Sequence, residues 1–168
     1  FRMANSYSVP APTTSPLASP TGLTATVASF PITIGGGGAG VSAPTTYVSG
    51  NNGNNSIFST ITSAGGGGGG SNCFTNGASG GSGGGGSRNA TVIGDAGSGN
   101  TPPVSPPQGN PGGFNPSAIG GGGGGAGGTS AADCNGNGGI GSFMIQAGFA
   151  GCNGTTGPVS SVRYFAGG

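Results

Sequence analysis

The chain has 168 residues and a formal net charge of +1; it contains no His, Lys, Glu or Trp, and its charged side chains are Arg2, Arg88, Arg163, Asp95 and Asp133. General acid–base chemistry needs groups that titrate near the working pH, and a nucleophilic Ser or Thr needs an adjacent base, so the composition speaks against an enzyme. Three scattered Arg displace too few counterions to hold a phosphate backbone, and no apolar run approaches the ~18 residues that span a bilayer, so neither nucleic-acid binding nor membrane insertion is expected.

What remains is glycine: 45 Gly and 13 Pro, with another 51 residues that are Asn, Ser or Thr. A chain that buries little apolar area stays disordered, because ordering each residue costs about 1–2 kcal/mol. Disordered segments combine low hydrophobicity with many charges, however, and this chain is 31% hydrophobic and 3% charged. Its apolar residues also gather just before the glycine runs, which predicts an ordered fold.

In chain order, residues 1–22 are rich in Pro, Ser and Thr and read as an extended arm. Residues 23–168 read as one glycine-rich module, expected to continue past residue 168 because the chain stops as a further glycine run begins. The chain starts at Phe1, and no charged segment followed by an apolar one is seen, so no signal peptide is expected. Within the module, Ser-Phe-Pro-Ile-Thr-Ile at 29–34 enters the run 35–38, and Ile-Phe-Ser-Thr-Ile-Thr-Ser-Ala at 57–64 enters the run 65–70. The run 83–86 has no apolar lead-in. Pro-Ser-Ala-Ile at 116–119 enters 120–125, residues 142–147 lead into Gly148, and residues 162–166 lead into Gly167. These lead-ins are short and rich in Ile, Thr, Phe, Val and Tyr, so they are predicted to be strands. Their apolar positions (Phe30, Ile32, Ile34, Ile57, Phe58, Ile61, Phe143, Ile145, Val162 and Tyr164) are expected to be mostly buried.

The glycine runs are poor helix formers, since each interior Gly costs about 1 kcal/mol relative to Ala. An extended helix of polyproline-II type, with three residues per turn and no internal hydrogen bonds, suits them better. Its backbone groups all point outward and need lateral partners. Because all three faces of such a run are Gly, neighbours can approach from every side. The fold class predicted is therefore mostly irregular/β, a lattice of packed polyglycine-II helices with short β-strand lead-ins and little or no α-helix.

Residues 2–22 and 100–116 contain no glycine run, and their prolines cannot donate to a lattice, so they are expected outside it as extended arms or capping loops. That is where contact with a receptor or another subunit would fall, and Tyr7, Gln108, Asn110 and Phe114 are the candidates. Pro103-Val-Ser-Pro106 reads as a stiff loop, having no basic flank to mark it as a ligand motif. Asp95 and Asp133 read as turn residues, because a hard cation wants several converging carboxylates. Cys73, Cys134 and Cys152 fit no zinc spacing. Cys73 and Cys134 form a candidate disulfide if the two six-glycine runs lie side by side and in the same direction; otherwise all three are inert thiols, and the odd count leaves at least one free or shared with another subunit. No cofactor and no metal are expected.

The order Ile61-Thr-Ser-Ala followed by the run 65–70, Gly80-Gly-Ser followed by the run 83–86, and Asn100-Thr-Pro-Pro-Val-Ser-Pro-Pro-Gln-Gly-Asn110 resembles glycine-rich tail-fibre or virion structural proteins of marine cyanophages. Phe30-Pro-Ile-Thr-Ile with the run 35–38 is similar to the strand that opens that domain, and the resemblance covers roughly residues 29–128. More distantly the chain resembles the glycine-rich receptor-binding tips of T-even-type phages, which pack polyglycine-II helices into a sandwich and present variable loops, although its own loops carry few aromatics. The resemblance implies a structural module of a tail fibre or other virion-surface appendage, located on the virion or outside the cell. Its implied partners are other fibre subunits, further copies of itself, and a host surface glycan or protein. The other reading is a subunit of a self-assembling extracellular filament unrelated to phage.

Overall fold

A computed structural model describes residues 3–4, 18–19, 22–24, 26–41, 48–71, 76–87, 94–114, 120–128, 136–144, 154–156 and 163–168. The architecture is mostly irregular/β, with no helix among these residues. Strands β1 (Met3–Ala4) and β2 (Ala18–Ser19) form a parallel pair. Strands β3 (Ile32–Thr33), β4 (Ser56–Phe58) and β5 (Ile61–Ser63) form an antiparallel sheet in that order. Strands β6 (Ser142–Met144), β7 (Thr155–Thr156) and β8 (Arg163–Phe165) form another, in the order β6-β8-β7. Apart from the β1–β2 pair and β7, the strands fall in the predicted lead-ins. The lead-in at 57–64, read from sequence as one strand, is instead the body of a hairpin. Phe58 pairs with Ile61 across a two-residue turn in which Ser59 has a φ of 53°, the left-handed geometry that matches the twist of tight hairpins.

The sheets open directly into rods of extended chain, and the pairing passes from one to the other without a slip. Ile32 pairs with Phe58 in β3–β4; along the same two chains the Asn54 N–H donates to the Gly36 carbonyl and the Asn51 N–H to that of Ala39. Ser56 pairs with Ser63 in β4–β5, and beyond it Gly53 donates to Gly66 and Gly50 to Gly69, each at 2.9 Å. In the second sheet the β6–β8 pairing of Ser142 with Phe165 continues as Gly168 donating to Gly139. What changes is the period. Bonds to a given neighbour now recur every third residue, as a helix with three residues per turn requires.

The rod of residues 80–87 lies at the centre. Gly67 and Gly70 donate to Ser82 and Gly85; Gly83 and Gly86 donate to Asn110 and Gly113; Gly94, Gly97 and Asn100 donate to Ser87, Gly84 and Gly81; and Gly121 and Gly124 donate to Gly86 and Gly83. Gly84 also donates to Ala78. Five segments therefore surround one four-glycine run, each held by main-chain bonds of 2.7–3.0 Å. From the centre the lattice extends one way through 65–70 and 48–55 to an edge at 35–41. The other way it extends through 120–128 to 136–141 and 166–168, with Gly139 donating to Gly123 and Ala126 to Ala166.

Steric exclusion, not backbone freedom, demands glycine here. Among the described glycines only Gly136 and Gly154 have a positive φ, so the runs adopt a conformation open to any L residue. A β-carbon is what they cannot carry. One built on Gly83 or Gly86 would overlap the carbonyl of Gly97 or Gly94, one on Gly84 that of Gly68, and one on Gly85 that of Gly121. Successive residues thus meet three different neighbours, and every position of the central run must be Gly.

The expected apolar core is corrected by the structure. Ile34 is 85% and Ile32 69% exposed, Ile57 and Phe58 are also exposed, and Phe30, Ile61 and Phe143 are only half-buried. Tyr164 alone of the expected set is buried; Ile145 and Val162 lie outside the described residues. The interior is main chain: the glycines at 80, 81, 83–86, 94, 97, 109, 113, 124, 125, 139 and 141 are buried, with Ala126 beside them. Rods close enough for backbone hydrogen bonds leave no room for a side chain between them. The strands therefore sit at rod ends with only one another to cover, Phe30 stacking on Phe58 and Phe143 packing at a tilt against Tyr164, each pair with ring centres 5.8 Å apart.

Candidate interaction surface

After Thr101, whose N–H still donates to the Gly80 carbonyl at 3.0 Å, residues 102–107 leave the lattice. Pro102, Pro103, Pro106 and Pro107 supply no N–H for lateral bonding, so a second set of bonds holds the loop's shape. Asn100 organises it from below: its Oδ1 accepts the N–H of Val104 at 3.1 Å and of Gln108 at 3.2 Å, and its Nδ2 donates to the Val104 carbonyl at 3.1 Å. The Asn100 φ of 50° turns the chain out of the rod, a geometry Asn tolerates better than other residues that carry a β-carbon. The peptide bonds Thr101-Pro102 and Ser105-Pro106 are cis. Thr101, Pro102, Pro103, Ser105 and Pro107 are exposed, while Val104 and Pro106 are half-buried. The result is a compact, uncharged projection with a fixed main chain.

Gln108 pins this loop to the slab and is not a surface contact, contrary to the expectation from sequence. It is 1% exposed; its Nε2 donates to the Pro102 carbonyl at 2.9 Å and its Oε1 accepts the Ala64 N–H at 2.8 Å. Asn110 is likewise turned inward. Its Nδ2 donates to the carbonyls of Gly125 and Ala126, while its own carbonyl accepts Gly83. The expectation that residues 100–116 lie wholly outside the lattice therefore fails for 108–113, which form one of the rods around the centre. Glycine at 109, 112 and 113 had marked that stretch. Phe114 is 44% exposed and stays a candidate contact. Tyr7, Cys73, Cys134 and Cys152 lie outside the described residues.

The sequence carries a further signal in its asparagines. Asn52 and Asn55 staple the edge of the lattice: Asn52 Oδ1 accepts the Gly68 N–H at 2.9 Å and its Nδ2 donates to Ser79, while Asn55 Oδ1 accepts Gly65. Asn76 does the same for the 94–100 segment, accepting the Asp95 N–H at 2.8 Å. A short amide side chain reaches one rod across, so Asn clusters beside glycine runs mark where a neighbour lies. Ile32, Ile34, Ile57 and Phe58, in and beside the β3–β4–β5 sheet, are exposed, as is Val27 before it.

Among the described residues no group of three His, Cys, Asp or Glu converges, so no metal site is built there. No helix among them is long and apolar enough to cross a membrane. Neither the curated proteins nor the solved structures returned a match. One family model does match, over residues 13–168, which takes in the whole lattice and both three-stranded sheets: the chain belongs to the Glycine-rich domain family.

Proposed function

We propose that this chain is a structural module of a bacteriophage tail fibre or other virion-surface appendage, and that it supports or mediates attachment to a host. One observation carries the reading: a slab held by main-chain bonds on every side of residues 80–87 displays a short, prestructured, uncharged loop at 101–107. A lattice with so few side-chain contacts offers rigidity at small cross-section, which suits a fibre. A loop whose backbone is already fixed loses little entropy on contact. The sequence resemblance to tail-fibre proteins adds the biological setting. In this reading the chain works without catalysis, on the virion or outside the cell, with other fibre subunits, further copies of itself and a host surface glycan or protein as partners.

The exposed apolar surface at the β3–β4–β5 end favours a second reading, a self-assembling extracellular filament, because a near-neutral chain with uncovered Ile and Phe tends to associate. Isolating the particle that contains the chain separates the two. Tail or capsid polypeptides in the same particle are expected, and a filament of this chain alone would contradict the fibre reading. Within such a particle, replacing Pro103, Val104 and Ser105 together by alanine should leave thermal unfolding within a few degrees of the parent, since Asn100 grips main chain, while attachment falls. Unchanged attachment would remove the loop from the account.

A further inference from the structure

We propose that the open edge formed by the rods at 35–41 and 48–55 is where the chain binds a second copy of itself, main chain to main chain, as one more rod of the same lattice. The inference rests on the part of the reading above that makes further copies of the chain its partners, and it holds for a virion fibre and a filament alike.

A trans peptide points its C=O and its N–H in opposite directions. The carbonyls of Gly36 and Ala39 accept the N–H groups of Asn54 and Asn51, so the N–H groups of Gly37 and Gly40, on the same two peptides, are aimed away from the slab. Neither donates to a described residue, and both glycines are exposed. They stand one turn of a three-residue helix apart, the spacing at which the internal rods bond their neighbours. The next rod carries the complement. Gly50 and Gly53 donate to Gly69 and Gly66, so the carbonyls of Ser49 and Asn52 face away from the 65–70 rod. These too are one turn apart and accept from no described residue. The edge thus holds both halves of a lattice contact, a donor row and an acceptor row, and an identical chain can complete it.

Steric room follows the same pattern. A β-carbon on Gly35 or Gly38 would overlap the carbonyl of Asn54 or Asn51, so packing within the chain demands glycine there, and position 39 already carries a methyl. A β-carbon on Gly37 or Gly40 would meet nothing within 4 Å. The chain's own packing leaves those two positions open to any side chain, yet both are glycine, as a rod approaching their N–H groups requires. Unpaired edges are a template for another chain unless charge, Pro or a bulge guards them, and residues 35–41 carry neither charge nor Pro. Strand β3 runs into this rod and is itself the outer strand of its sheet, so the open edge extends back to Ile32.

The test is analytical ultracentrifugation of the whole purified chain over a concentration series, beside the double variant Gly37→Pro/Gly40→Pro. Proline suits the extended backbone of a rod, removes the two outward N–H groups and breaks no bond to a described residue. The parent should self-associate, and the variant should do so at least about tenfold more weakly, with the same unfolding midpoint in dilute solution. Gly37→Ala/Gly40→Ala keeps both N–H groups but puts methyls in the way; it should also associate less, and it decides the matter if proline shifts the midpoint. A parent that stays monomeric, or association that survives both glycine variants and is lost only in Ile32→Ser/Ile34→Ser, would overturn the proposal. Neither result touches the composition of the native particle, which tests the wider reading separately.

Discussion

Gly84→Ala should destabilise the slab by about 3 kcal/mol or more, a large share of the roughly 5–15 kcal/mol that holds a domain of this size. The added methyl would overlap the Gly68 carbonyl oxygen and come within 2.6 Å of its carbon and 2.9 Å of the Gly67 oxygen. These are main-chain atoms, and no rotamer change relieves them. The 65–70 rod would have to move away from the centre, and the bonds from Gly67 to Ser82 and from Gly70 to Gly85 would go with it. Gly37→Ala is the matched control. Gly37 has the same backbone class and nothing within 4 Å of the added methyl, so alanine there should be neutral or stabilise by up to about 1 kcal/mol, by restricting the unfolded chain. Denaturant titration of the two variants reads the difference directly. Equal midpoints would mean that the glycines are not needed for close packing.

The second large effect is expected at Gln108. Alanine there leaves the Ala64 N–H and the Pro102 carbonyl without their partner and opens a cavity where a fully buried side chain stood. Unsatisfied buried groups cost about 1–3 kcal/mol each, so a loss of about 2–5 kcal/mol follows. Gln108→Glu is a sharper probe. A carboxylate still accepts from Ala64 but has no hydrogen to give Pro102, and it adds an unpaired buried charge. It should be at least as damaging as alanine although it is nearly the same size. If glutamate is tolerated, the side chain faces solvent and the loop is not anchored as described.

Part of this fold can be read from the sequence by chain chemistry alone. The runs at 65–70 and 120–125 are too rich in Gly for a helix, and their lateral bonding follows from their lack of internal bonds. The strands β3, β6 and β8 fall in predicted lead-ins because Ile, Phe, Tyr and Thr suit a pleated ribbon. The centre was not legible. Residues 83–86 form a run of only four glycines without a lead-in, and what makes them central is the number of neighbours, a property of three-dimensional packing that no local pattern encodes. The apolar residues misled for a related reason. Counting Ile and Phe finds a core only where side chains fill the interior, and here main chain fills it, so those residues are pushed to the rod ends. Their place in a Pro-rich segment points Gln108 and Asn110 outward, yet each carries an amide that can both donate and accept. That capacity suits the inside of a backbone lattice better than its surface.

The central claim is that the glycine runs are three-residue-per-turn rods bonded sideways to other rods, and amide hydrogen exchange of the native chain tests it residue by residue. In the 65–70 run, Gly67 and Gly70 donate to the central rod and Gly65 and Gly68 to Asn55 and Asn52, whereas Gly66 and Gly69 are exposed and their N–H groups bond to no described residue. The account predicts slow exchange at Gly67 and Gly70, intermediate exchange at Gly65 and Gly68, and near-unprotected exchange at Gly66 and Gly69, a period of three. Uniformly fast exchange across the run, or protection alternating every second residue as in a β-strand, would contradict it.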